Sequence, residues 1–198
     1  MNYSDLLVLK DEGLTKISDE SFCAKFVDDA AHGGNFFSKG PCYTIIPLEL
    51  EMAGVTPSKI LDKEPASKKN VSKHFICDGQ VVKIESYNSQ GLLDEFEFFR
   101  SFGDLLFSLR KNKHNEILWL KIAELKDGKV LRACRVDGDM EYWAYRYNWE
   151  GGRVKEVVSL ASNGVAGTVI KTRYDVDSTV SRLFFLSDGK EVDIYSHI

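Results

Sequence analysis

The sequence predicts a mainly β protein: a curved antiparallel β-meander of about eleven strands with a small N-terminal region of mixed helix and loop. Turn signals recur at nearly even steps through residues 73–198, and the segments between them alternate apolar and polar side chains. All four prolines lie before residue 73, and proline is rare inside sheets because it cannot donate to a strand ladder. We therefore expect an N-terminal region, residues 1–72, that packs on a sheet domain formed by residues 73–198.

The N-terminal region carries one helix signal. Ser18 is a potential N-cap, and Asp19 and Glu20 place acids in the first turn. Phe22, Phe26 and Ala30 then follow at helical spacing. This pattern predicts a helix near residues 18–31. Farther along, residues 43–46 are typical of a short strand, residues 56–61 of a helical turn, and residues 62–72 of an exposed connector.

Ten turn signals divide residues 73–198 into strands. Many contain Asp-Gly or Asn-Gly, which suit tight hairpins because both central residues of such a turn need a positive φ. The turns are centred at residues 78–79, 89–91, 102–104, 113–115, 127–128, 137–138, 150–152, 163–164, 176–178 and 188–189.

Three of these turns share a longer pattern: an aromatic residue, Asn or Asp, two or three further residues, a small residue, and then a strand. It starts at Tyr87-Asn88, Tyr147-Asn148 and Tyr174-Asp175. The pattern resembles the YD repeats of Rhs-type proteins, in which Tyr-Asp precedes a glycine and an Arg-Leu pair. In two of the three copies Asn replaces Asp, and in the third Ser178 stands in place of the glycine.

The resemblance implies a function in bacterial competition. Full-length Rhs proteins form a large shell around a toxin, which a chain of 198 residues is too short to build. Small proteins of similar character are encoded beside polymorphic toxins as immunity proteins, which bind the cognate toxin and block it. We therefore expect a cytoplasmic immunity-type protein, without catalytic activity or cofactor, whose partner is a toxin or effector domain.

Charge and aromatic content suggest which surfaces bind the partner. Residues 1–31 contain three lysines and seven acids, so this segment has a net charge of −4, which equals the net charge of the whole chain. Such a segment is either an ordinary solvated face or an acidic surface that attracts a basic partner. The binding residues expected on the second interpretation are Asp19, Glu20, Asp28 and Asp29.

Aromatic residues cluster between positions 142 and 149. Trp143, Tyr145, Tyr147 and Trp149 would share one face of a straight strand, either as part of the core or as an exposed binding surface rich in Trp and Tyr. On the second interpretation Tyr142, Trp143, Tyr145 and Trp149 contact the partner. A carbohydrate- or cell-surface-binding module would use the same aromatic residues for stacking, and it is the alternative function.

Other functions have weaker support. The acidic balance argues against nucleic-acid binding, and no apolar run is long enough to span a membrane. His74 and Cys77 would point to opposite faces of a strand, so we expect no metal site there. Cys23 and His32 are poorly placed for a nucleophile pair, and Asp94, Glu95 and Glu97 are interpreted as surface acids.

Overall fold

The computed structural model describes residues 2–28 and 33–197, which form three helices and a single thirteen-stranded sheet. The helices are α1 (Ser4–Ile17), α2 (Glu20–Cys23) and α3 (Glu49–Met52). The strands are β1 (Gly34–Ser38), β2 (Ile60–Leu61), β3 (Ser72–Cys77), β4 (Gln80–Tyr87), β5 (Leu93–Phe102), β6 (Leu105–Asn112), β7 (Ile117–Lys126), β8 (Lys129–Asp137), β9 (Tyr142–Glu150), β10 (Arg153–Ala161), β11 (Thr168–Tyr174), β12 (Val180–Ser187) and β13 (Lys190–Ser196).

The sheet confirms the predicted mainly antiparallel β class. From β3 to β13 each strand pairs with the next along the chain. These eleven strands are the expected meander, but the strand count of about eleven was too low for the whole chain. The N-terminal region adds β1, which pairs with β3, and β2, which pairs with β1. Residues 1–72 therefore extend the sheet as well as covering it.

All ten predicted turns lie between consecutive strands of the meander. In the Asp78-Gly79 turn both central residues have positive φ, at 50° and 78°, as a tight hairpin turn requires. The small residue of the YD-like pattern is also left-handed in each copy: φ is 81° at Gly91, 80° at Gly152 and 74° at Ser178. Asp127-Gly128 and Asp188-Gly189 have the same conformation as Asp78-Gly79, whereas neither residue of Asp137-Gly138 or Asn163-Gly164 has a positive φ, so the predicted turn chemistry was wrong at those two turns.

One face of the sheet is covered by α1, which lies across β7, β8 and β9. Leu6, Leu9 and Ile17 bury their side chains there against an apolar cluster from the strands. Gly13 permits the close approach, because a Cβ atom at this position would lie 2.8 Å from the Cγ2 atom of Val136. This helix was not predicted from sequence.

The predicted helix over residues 18–31 was wrong in its extent and its cap. The helix in this region, α2, has only four residues, and its N-cap is Asp19, whose carboxylate accepts a hydrogen bond from the Phe22 amide at 3.1 Å. Ser18 instead follows α1 and bonds back to the Leu14 carbonyl. Phe22 and Phe26 are nevertheless buried, and Ala30 lies outside the described residues.

The opposite face is covered by residues 41–56, a segment that includes α3 and that we call the strap. It was predicted to contain a strand at residues 43–46, but these residues are irregular; Ile45 and Ile46 are buried against the sheet without joining it. Pro47 follows directly, and its ring has no N–H to donate to a ladder. Residues 56–61 are likewise not helical, and they lead into β2.

The strap crosses the sheet from β5 to β13. Tyr43 stacks edge-on against Phe99 of β5 with ring centroids 5.4 Å apart, whereas Thr56 lies 3.4 Å from the Tyr195 hydroxyl of β13. The strap therefore contacts strands that are eight positions apart in the sheet. The curvature of the meander remains a prediction.

We expect Leu6→Ala to destabilise the protein by about 2–5 kcal/mol, because Leu6 is fully buried beneath α1 and its loss leaves a cavity. Leu7→Ala is the matched control, since Leu7 is 41% exposed on the same helix. Urea denaturation measures both. Equal effects of the two variants would contradict this packing of α1.

Candidate functional site

A cleft of about 380 Å³ lies between the strap and the sheet. This volume falls within the range of small-ligand sites. The strap provides one wall, and side chains from six consecutive strands, β3 to β8, provide the other. Nine of the twenty lining residues are charged or aromatic: Tyr43, Glu49, His74, Tyr87, Glu97, Arg110, Trp119, Lys121 and Arg135.

Strand register brings the sheet residues together. In the ladders Glu97 pairs with Arg110, Arg110 with Trp119, and Lys121 with Arg135. Directly paired residues of antiparallel strands project to the same face. A row of charged side chains therefore crosses four neighbouring strands, although its members are far apart in sequence.

Glu97 lies at the β5 end of the row and is only 3% exposed. Its carboxylate accepts a hydrogen bond from the Ser108 hydroxyl at 2.7 Å and lies near Lys121 and Arg110, at 3.8 and 3.5 Å. Burial alone would raise the pKa of Glu97, but Lys121 and Arg110 outweigh it and the pKa is lowered. Glu97 therefore stays ionised inside the fold.

Lys121 joins the strap to the sheet. Its ammonium group is buried and donates to Glu49 Oε2 at 2.7 Å and to the Thr44 hydroxyl at 3.3 Å. Thr44 in turn donates to Glu49. The residue before Glu49, Leu48, has a left-handed backbone with φ 62°, a conformation that costs an apolar residue about 1–3 kcal/mol. This strained residue begins α3 and so places Glu49 beside Lys121.

At the cleft two arginines flank one tryptophan. The guanidinium carbons of Arg110 and Arg135 each lie 4.5 Å from the Trp119 ring centroid. Carboxylates hold both arginines: Glu95 accepts from Arg110 Nε at 2.7 Å, and Asp137 accepts from Arg135 Nε at 2.6 Å. The three side chains are partly exposed, and we call them the Arg-Trp-Arg stack.

His74 lies at the β3 side of the cleft, 1% exposed and stacked on Phe36. Its Nε2 atom is 2.9 Å from the Ser38 hydroxyl and 3.4 Å from the Cys42 sulfur, whereas Nδ1 has no hydrogen-bond partner. Burial lowers the pKa of His74 to about 4, against a smaller opposing effect of Glu97. The imidazole is therefore neutral at pH 7.

The acidic residues predicted to bind a partner do not form one free acidic surface. Asp19 caps α2, and Asp28 accepts a hydrogen bond from Lys83 at 2.7 Å. Glu20 is exposed beside Asp19. Asp29 lies outside the described residues. Asp19 and Asp28 are thus already bound within the chain. Neither of them, nor Glu20, lines the cleft.

The aromatic residues of β9 belong mainly to the core. Tyr145 and Tyr147 are buried at 9% and 6% exposure, and Trp143 and Trp149 pack partly buried against the same cluster. Tyr142 packs on the other face, with the cluster beneath α1. The core interpretation of this segment therefore describes the structure, and an exposed platform formed by all of these rings is not present.

Sequence reasoning missed the cleft. Glu97 was interpreted as a surface acid, but it is buried among counterions. A usable signal was present: Lys121 interrupts the otherwise apolar run of residues 117–123 inside a strand. A charge at such a position requires a partner on the adjacent strand.

The described part of the chain, residues 2–28 and 33–197, contains no group of three or more His, Cys, Asp or Glu side chains arranged to hold a metal ion. His32, half of the weak Cys23–His32 pair, lies outside it. Within the same residues, no helix has the length and apolar character needed to cross a membrane.

We expect Lys121→Met to destabilise the protein by about 3–5 kcal/mol, because it leaves Glu49 and Glu97 buried without their shared counterion. Lys155→Met removes an exposed pair with Glu150, and it should leave the denaturation midpoint unchanged. A similar midpoint for both variants would show that the buried pairing contributes little.

His74 should make stability fall between about pH 6.5 and pH 4. The unfolded imidazole takes up a proton near pH 6.5, whereas burial holds the folded pKa at about 4. Acidification through this range therefore favours the unfolded state, by on the order of 3 kcal/mol in total. Urea titrations at several pH values measure this slope. It should flatten in His74→Gln and persist in His114→Gln, which alters an exposed turn.

Comparison with known proteins identifies no relative. No protein-family model matches the chain, and no curated protein matches it in sequence. The resemblance to Rhs and YD-repeat proteins therefore remains a prediction from the turn motifs, and any function has to be argued from the site itself.

Proposed function

We propose that this chain is an immunity-type protein that acts in the cytoplasm, binding a cognate toxin by direct contact at the cleft between the strap and the sheet. The observation that carries the proposal is the Arg-Trp-Arg stack, formed by Arg110, Trp119 and Arg135. Trp and Arg are the residue types most enriched at the energetic centres of protein interfaces. Here they are adjacent, partly exposed and at the edge of a cleft.

The stack also meets the entropic requirement for tight binding. Flexible arginines lose conformational freedom when a partner orders them, which reduces affinity. In this protein Glu95 and Glu97 hold Arg110, and Asp137 and Glu49 hold Arg135. Their positions are fixed before a partner arrives, so little freedom remains to be lost.

Electrostatics in the cleft favours binding over catalysis. A general acid or base works best with a pKa near the ambient pH. In the cleft three pKa values are shifted away from neutrality. The pKa of His74 is lowered to about 4, and the pKa of Glu97 is lowered below the usual value for a glutamate. Burial raises the pKa of Tyr43 above the usual value for a tyrosine. Burial causes the shifts of His74 and Tyr43, and the counterions Lys121 and Arg110 cause that of Glu97, so these three groups are poorly tuned for proton transfer at neutral pH.

Carbohydrate binding is the second candidate, and the cleft volume favours it. A cavity of about 380 Å³ with aromatic and charged lining could hold a small sugar. Trp119 is poorly placed as a stacking platform, because both arginines already lie within 4.5 Å of its ring centroid. This crowding is the reason for preferring a protein partner.

The experiment is a binding measurement between the purified chain and the toxin domain encoded by the adjacent reading frame. We expect Arg135→Ala to weaken binding by about 30-fold or more, as the loss of an interface anchor does. Arg182→Ala is the matched control, since Arg182 likewise stacks on an aromatic ring and pairs with two carboxylates, but on β12. Absence of any complex at micromolar concentration would end the proposal.

A further inference from the structure

One donor and one acceptor of the cleft lining lie side by side without a hydrogen bond between them. They are Arg110 Nη1 and Glu97 Oε2, and their separation of 3.5 Å is longer than a charge-assisted hydrogen bond. The hydrogen bonds that these two side chains make to the rest of the described chain use other atoms, namely Nε and Nη2 of Arg110 and Oε1 of Glu97. The pair therefore has one donor site and one acceptor site unused.

Both atoms of this pair are open to the cleft. Within residues 2–28 and 33–197, the buried side-chain nitrogen and oxygen atoms that have no hydrogen-bond partner are Glu49 Oε1 and His74 Nδ1, and the surrounding protein encloses those two. Arg110 Nη1 and Glu97 Oε2 are unpartnered as well, but they are not enclosed. A small group in the cleft can therefore reach them, even though Glu97 as a whole is only 3% exposed.

Neighbouring bonds hold the pair in place. Glu95 accepts hydrogen bonds from Nε and Nη2 of Arg110, and Trp119 lies against the guanidinium, with its ring centroid 4.5 Å from the guanidinium carbon. Ser108 donates to Oε1 of Glu97 at 2.7 Å. The free edge of the guanidinium and the free oxygen of the carboxylate are thus positioned before a ligand arrives, which lowers the entropic cost of binding one.

The group that fits this pair is neutral. The three cations of the cleft, Arg110, Lys121 and Arg135, are all ion-paired with carboxylates of the chain. An added ammonium or guanidinium group only donates, and Arg110 repels it. An added carboxylate only accepts, and Glu97 repels it. A neutral group that both donates and accepts satisfies both atoms without adding a charge.

Among neutral protein groups, the primary carboxamide of asparagine or glutamine matches the pair best. Its oxygen accepts while an N–H on the same side of the group donates. A trans peptide unit points its N–H and C=O in opposite directions, so the backbone of a partner does not supply both bonds from one unit. A hydroxyl has to form both bonds from one oxygen. With protein atoms only 3.5 Å apart, the angle between those bonds is narrower than the hydroxyl's hydrogen and lone pairs provide.

We infer that the cleft receives the side-chain carboxamide of an asparagine or glutamine from the protein partner. The carboxamide oxygen accepts from Arg110 Nη1, and the amino group donates to Glu97 Oε2. The inference rests on the proposed function and specifies the group that the partner inserts beside the Arg-Trp-Arg stack. The cleft volume of about 380 Å³ is large enough for one such side chain.

The test uses small probes and the intact chain. Nα-acetyl-glutamine methylamide is titrated into isotope-labelled protein, alongside a derivative whose side-chain amide is dimethylated and so has no N–H, the charged glutamate analogue, and methyl glucoside. Each probe is taken to about 100 mM, because a single side chain binds in the millimolar range. NMR follows the Trp119 indole N–H, whose nitrogen lies 3.5 Å from Glu97 Oε1. We expect saturable shifts with the glutamine probe, and binding at least about fivefold weaker with the other three.

Two variants connect the binding to the pair. In Glu97→Gln the donors Ser108 and Lys121 lie nearest Oε1 and retain the amide oxygen there, so an NH₂ group replaces the acceptor Oε2. Arg110→Lys keeps the charge but removes the Nη1 edge. Each variant should weaken binding of the glutamine probe by at least about fivefold.

Glu124→Gln is the matched control. Glu124 also pairs with an arginine of the neighbouring strand, Arg132, but it lies outside the cleft lining, so its replacement should leave probe binding unchanged. Melting curves establish that each variant is folded. Should Glu97→Gln fail to fold, Arg110→Lys and the dimethylated probe still decide the question.

Four results would overturn the inference: equal affinity for the glutamine probe and its dimethylated or charged analogue, saturation by methyl glucoside alone, unchanged glutamine-probe binding in Arg110→Lys, or no saturable shift with any probe. Toxin binding with no response to the glutamine probe would leave the proposed function intact and reject only the carboxamide anchor. A response to the probe without toxin binding would support the carboxamide site and reject the toxin as the partner.

Discussion

The buried ammonium group of Lys121 is the constraint on which both the strap and the cleft depend. Lys121 lies on β7, near the middle of the sheet, where an unpaired charge would be very unfavourable. The sheet provides Glu97, but at 3.8 Å and shared with Arg110. The closer partner, Glu49, comes from the strap, and the left-handed Leu48 immediately before it is strain that this pairing offsets.

The two faces of the sheet are covered by different kinds of interaction. Beneath α1 the contacts are apolar and close, with Gly13 allowing the helix to lie against Val136. Beneath the strap, apolar packing by Ile45 and Ile46 adjoins a network of charged hydrogen bonds. Apolar packing contributes most to stability but has little directionality. Charged networks contribute less but fix side-chain positions, and for this reason we place the proposed binding site on the strap side.

The sequence was sufficient to predict the meander but not the site. Each hairpin turn depends on a few adjacent residues, such as Asp78-Gly79, so local chemistry determines it. α1 was missed because its buried stripe includes Gly13, a residue normally unfavourable inside a helix and justified here only by the approach to Val136. The cleft was missed because strand register and strap position bring Glu49, Glu97 and Lys121 together, and neither can be inferred from a single segment.

The order in which this chain leaves the ribosome has a consequence for its folding. From β4 onward every strand pairs with its predecessor, so hairpins can add one at a time as synthesis proceeds. The N-terminal elements are made first, yet α1 packs on β7 to β9, and Thr56 meets Tyr195 of β13. The apolar stripe of α1 must therefore wait for β7 to β9 to emerge. During that interval it is transiently exposed apolar surface, the kind of surface that makes folding intermediates prone to aggregate.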